Sequence, residues 1–199
     1  MPIVMLMDNN QTAERTITRF VNSVFGPIEH SPIESPQLDQ RVRASYHSQI
    51  TEVSGLGFTY LCSDGESFPL VRLALVLPAV VMFGIWLERR PVSMRGGSIL
   101  AGYPILVLKA KSTFAHLDGS YVKFLTAFRD GALLVSGNSL NPLPGGPGIS
   151  RSCQTGTITE SWKRHESRIQ ALELNGGEVD RRSTYDDYVR LVVRDTAPW

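Results

Sequence analysis

"PLVRLALVLPAVVMFGIWLERRP", residues 69–91, decides how the rest of the chain is read, because no ordinary water-facing surface carries such a run. From Leu73 to Leu87 every residue is apolar or neutral, and the window Leu70–Glu88 has a mean hydropathy of about 2, the range of membrane segments. Its Leu, Val, Ile and Phe residues favour insertion by roughly 3 to 7 kcal/mol in sum, while Arg72, near the edge, opposes by less than the roughly 3 kcal/mol an arginine costs at mid-bilayer. Arg72 at one end and Arg89 and Arg90 at the other can lay their stems on apolar surface and keep their guanidinium groups among lipid headgroups. Pro78 removes one backbone hydrogen bond and predicts a kink. The competing reading makes Pro78-Ala79 a turn between two buried strands, "LVRLALVL" and "VVMFGIWL", apolar on both faces. The run has no polar face, so periodicity does not separate the two readings. Tight hairpins favour Asn-Gly or Asp-Gly over Pro-Ala, so the preferred expectation is a membrane-associated segment over residues 68–88, touching the lipid bilayer through residues 70–88.

Towards the N-terminus, residues 1–67 read as a helical region. "NNQTAERTITRFVNSVFG" sets Ile17, Phe20, Val21, Val24 and Phe25 at helical spacing and ends on Gly26. The proline-rich "PIEHSPIESP" over 27–36 reads as a loop. Ser35-Pro36 then opens a second helix with Leu38, Val42, Tyr46, Ile50 and Val53 on one face and Gly55 at its end. "MPIVMLMDNN" lacks the basic start and small-residue cleavage site of a secretory signal.

Residues 89–199 read as an α+β region: an antiparallel β-meander followed by two helices. "YPILVLKA", "YVKFLTAF" and "ALLVSGN" are short, rich in β-branched and aromatic residues, and bounded by turn residues. Asp130-Gly131 between two of these runs predicts a tight hairpin with a positive φ at Gly131. Thr157 and Glu160 form a capping box that predicts a helix over 158–174, with Trp162, Ile169 and Leu172 inward and Asn175-Gly176 at its end. Ser183 is the expected cap of a last helix over 184–194.

Lys plus Arg number 20 against 19 Asp plus Glu, so there is no global positive field of the kind that draws a chain to nucleic acid, and no nucleic-acid partner is expected. Two cysteines, Cys62 and Cys153, far apart in sequence, indicate no disulfide framework and fit a reducing compartment. The four histidines, His30, His47, His116 and His165, fall in four segments without ligand spacing, so neither a metal nor a cofactor is expected. "SGLGF", residues 54–58, has the spelling of a PDZ carboxylate-binding loop, but a helix runs into it and the apolar stretch follows, so Gly55 reads as a helix cap. "CQTGTIT", residues 153–159, has the layout of a cysteine phosphatase loop with Thr159 where the phosphate-holding arginine is needed, so Cys153 reads as structural. "PGGPGISR", residues 144–151, lacks the lysine and spacing of a phosphate-binding P-loop and reads as a flexible loop. His116 and Asp118 in "FAHLDG" read as a polar turn between strands. Tyr185 and Tyr188 are candidate anchors for a protein partner.

The expected function is a membrane-associated, non-enzymatic interaction or scaffolding domain, its catalytic residues unknown. Arg89, Arg90, Arg95, Lys109 and Lys111 follow the stretch and none of Lys or Arg lies between Thr51 and Val71, which puts the C-terminal domain in the cytoplasm. The alternative is a soluble cytoplasmic α+β enzyme in which residues 70–88 are core strands and His116, Asp118 and Cys153 approach one another.

Overall fold

Along Thr113–Asp118 the side chains of Phe114 and His116 join one face of a sheet, and those of Ala115 and Leu117 join the other. Both faces are covered, so the strand is buried from Thr113 to Leu117, and the polar Thr113 and His116 are carried into the interior. The computed structural model describes residues 29–69, 92–95, 98–119, 121–138 and 147–196. Most of the apolar stretch and the first expected helix lie outside these residues.

The described chain is α+β, with a mostly antiparallel sheet and four helices. In order they are β1 (Glu29–Pro32), α1 (Pro36–Ser45), α2 (His47–Gly55), β2 (Thr59–Pro69), β3 (Val92–Arg95), β4 (Ser98–Leu108), β5 (Thr113–Asp118), β6 (Tyr121–Ala127), β7 (Leu133–Gly137), β8 (Ile149–Cys153), α3 (Ile158–Leu174) and α4 (Tyr185–Thr196). Seven strands run in the order β1-β2-β4-β5-β6-β7-β8, and β3 pairs onto β4 beside β5. All pairings are antiparallel except β7 with β8. The expected meander is therefore present as β4 to β7. The sheet also takes β1 and β2 from before the apolar stretch, with β2 paired to β4 from Thr59↔Val107 to Pro69↔Ser98.

The N-terminal helical pair is not shown. "PIEHSPIESP" was expected to be a loop, yet Glu29–Pro32 is a strand on β2, tolerated because Pro32 closes an edge strand and breaks no central ladder. The helix expected over 36–55 forms, with Ser35 capping the Leu38 N–H, but it breaks at Tyr46, whose φ of −108° and ψ of 18° turn the chain. Tyr46 is buried, and its hydroxyl accepts the Gly119 N–H at 3.2 Å. Gly57, with φ 94°, takes the left-handed position expected at Gly55, and the Leu56 and Gly57 N–H groups are spent on Val53 and Ser54 carbonyls. A PDZ-type loop needs those donors free. Phe114–Asp118 of "FAHLDG" lie in the strand β5, and the turn begins only at Gly119. Phe68 and Pro69, counted with the apolar segment on sequence, end β2. Among the described residues, no helix is long and apolar enough to cross a membrane.

Helices α1, α2 and α3 cover one face of the sheet. There Val42, Tyr46, Val53, Phe58, Phe124 and Trp162 share a core, and Phe58 meets the Trp162 ring edge-on with centroids 5.0 Å apart. The capping box at Thr157 and Glu160 is present, so the start of α3 is set by local chemistry. Trp162 and Ile169 point inward as expected, whereas Leu172 is exposed. On the opposite face α4 packs Tyr188, Leu191 and Val192 against Ile105, Phe114, Leu125, Leu133 and Val135. Its cap is Thr184 rather than Ser183: the Thr184 hydroxyl accepts the Asp187 N–H, and the Asp187 carboxylate accepts the Ser183 and Thr184 N–H groups.

Between β6 and β7 the loop is Arg129-Asp130-Gly131. Phe128 receives the Gly131 N–H at 3.0 Å and gives its own N–H to Ala132 at 2.8 Å, with Gly131 at φ 85°. A Cβ at Gly131 would meet nothing within 4 Å, so the cost of replacing it is backbone strain alone. Gly131→Val is expected to lower the unfolding free energy by more than about 1 kcal/mol in urea titrations, and an unchanged midpoint would refute this account of the turn.

Candidate functional site

The period of two on the α4 face collects an unusual set of polar side chains. Register aligns His30 of β1 with Glu66 of β2, Asp64 of β2 with Tyr103 of β4, and His116 of β5 with Lys123 of β6. From above, the first turn of α4 adds Tyr185 and Tyr188. Asp64 has no solvent exposure, and its carboxylate accepts the His30 Nδ1–H at 2.8 Å and the Tyr185 hydroxyl at 2.5 Å. Beside it, the Tyr188 hydroxyl and His116 Nδ1 share a hydrogen bond of 2.7 Å, with both side chains buried. Farther along α4, Asp195 is buried and pairs with Arg151 at 2.6 Å and Lys123 at 3.0 Å.

The two histidines are driven in opposite directions. Burial opposes a charge on His30, but the hydrogen bond to Asp64 and the charges of Asp64 and Glu66 outweigh it, and its pKa is raised. His116 has no carboxylate hydrogen bond, so burial, reinforced by Lys123, holds it down at about 4. Glu66 is raised by burial, against the pull of the Tyr103 hydrogen bond and His30. Burial also raises both tyrosines, which keeps them as hydroxyl donors. Cys62, at the rim of the cluster, is pushed up to about 12 by burial and by Asp64, so it is a thiol and not a thiolate nucleophile.

His116 and Asp118 share a strand and a face, but Cys153 is not brought to them. His116, Lys123, Gly137 and Cys153 form one row across β5, β6, β7 and β8, three strand spacings from end to end, or about 14 Å. Burial raises the Cys153 thiol despite nearby Lys123 and Arg151. His47 is exposed at the start of α2, and His165 is buried on the opposite face, where its Nε2 bonds Thr126 Oγ1 at 2.9 Å. Among the described residues no group of three or more His, Cys, Asp or Glu is arranged to hold a metal ion.

The sequence reading missed His30, Asp64 and Glu66. The alternation Cys62, Asp64, Glu66 was the available signal, hidden because polar residues at the inward positions imitate a loop. Tyr185 and Tyr188, read as partner anchors, turn inward: Tyr188 has no exposure and Tyr185 is half-buried. Every bond named here joins one part of this chain to another, so the cluster works as a polar clasp between α4 and the sheet. Comparison with known proteins finds no matching family model, curated protein or solved structure.

Proposed function

We propose that this chain is a membrane-attached, non-enzymatic interaction domain, held at a lipid bilayer by residues 70–88 with its folded part on the cytoplasmic face. The observation that carries the reading is where the apolar stretch leaves and rejoins the fold. Pro69 ends β2 opposite Ser98, and Val92 begins β3 opposite Ala101, on the two flanks of β4. Two strand spacings across and three residues along put these ends on the order of 15 Å apart. A single span would separate them by about 30 Å and divide β2 from β4. Entry and return on one face of the bilayer fits, with Arg72, Arg89 and Arg90 at the headgroups.

Carbonate extraction tests this. The full chain is expected in the membrane pellet. A variant with residues 70–91 replaced by an eight-residue Gly/Ser linker, whose reach of roughly 27 Å exceeds the gap, is expected in the supernatant with the unfolding transition of a folded domain. Full-length protein in the supernatant would refute the proposal. An unfolded linker variant would do so too, by showing that the stretch is core.

A further inference from the structure

We propose that α4 is latched to the sheet by two histidines that must be in opposite protonation states, His30 charged and His116 neutral, so that its docking passes through a maximum in pH and weakens on both sides. The arrangement of charges in the cluster imposes the requirement. Tyr185 reaches Asp64 only because that unexposed carboxylate is matched by a charged partner, and the partner is His30. When His30 loses its proton, the Asp64 charge is left with neutral donors in a dry site. Tyr188 makes the reverse demand. It closes over His116, which is buried and faces Lys123 across the sheet, so a proton on this imidazole puts a second cation beside the lysine in a site that α4 keeps dry.

The groups around His116 do not relieve the conflict. Lys123, its register partner on β6, is a cation already, and charged His30 on β1 is another. Asp64 on β2 spends both oxygens on His30 and Tyr185, and Glu66 on β2 is engaged by Tyr103 of β4. Asp118 on β5 favours the proton, against the two cations and the burial. Cys62 and the α4 tyrosines stay uncharged in this range. Asp195, held by Lys123 and Arg151, tethers the far end of α4. The strap before α4 is held separately, through Arg129 N–H to Glu178 and Asp180 N–H to Ala127, so the first turns of α4 can lift while α3 and the strap stay in place.

Amide hydrogen exchange of the full chain carrying His165→Gln, which removes the separate acid response of α3, reads this directly when corrected for intrinsic rates from pH 4.5 to 9. Protection of residues 188–192 is expected to pass through a maximum and fall at least tenfold on each side, while α3 changes less. His116→Gln is expected to erase the acid limb alone, and His30→Gln the basic limb alone. A flat profile, parallel loss in α3 and α4, or one variant erasing both limbs would overturn the latch. Should His116→Gln fail to fold, His116→Asn, a smaller neutral side chain at the same place, is expected to erase the acid limb, and a persisting limb would overturn the proposal equally.

Discussion

Asp64→Ala is expected to cost about 3 to 5 kcal/mol of unfolding free energy. Asp64 is fully buried and receives two hydrogen bonds, one from an imidazole whose charge it sustains. Removing it strands His30 and the Tyr185 hydroxyl together, and an unpartnered buried charge or donor is costlier than a lost contact. With Asp64 gone, burial and Lys123 are opposed by Glu66 alone, so the raised pKa of His30 should fall. Urea titration and histidine proton NMR check the two halves. A loss under 1 kcal/mol, or an unmoved His30 titration, would mean that the cluster is wetter than its geometry implies.

Acidification is expected to have an effect of similar size through His116 and His165. Burial holds them at about 4 and about 3, so both stay neutral in the fold at pH values where the unfolded chain has bound the proton. The unfolded state gains protons first, and stability is lost as pH falls below about 6.5, by roughly 2 kcal/mol per histidine at pH 5. His30 runs the other way. Its raised pKa contributes stability that is complete below about 6.5 and lost as pH rises through its folded value, so it cannot supply the acid loss. His165→Gln is expected to remove about half of the loss between pH 7 and pH 5 in urea titrations. Equal losses in wild type and variant would show that His165 does not titrate as its burial demands.

What could be read from sequence follows from where the chain speaks locally. The capping box at Thr157 and Glu160, the Ser35-Pro36 helix start and the Asp130-Gly131 turn are short-range chemistry, and each appears where expected. β1, β2, β5 and β8 were lost for a common reason. His30, Ser63, Asp64, His116 and Arg151 occupy positions where the pattern asks for apolar residues, and their partners lie far along the chain: Asp64 and Tyr185 are 121 residues apart. No local window holds both members of such a pair. Pairing of β2 with β4 across the apolar stretch was equally hidden, because a strongly apolar run reads as a boundary even when the strands flanking it share a sheet.

That separation also bears on how the chain is made. At about 5 to 20 residues added per second, roughly 6 to 24 s pass between synthesis of Asp64 and synthesis of Tyr185. The strands can pair during this interval, but the carboxylate at their centre has no tyrosine to close over it, and the apolar face destined for α4 stays open to water or to other nascent chains. The sheet thus spends its early life as a half-covered intermediate, and its completion waits on the last described helix to leave the ribosome.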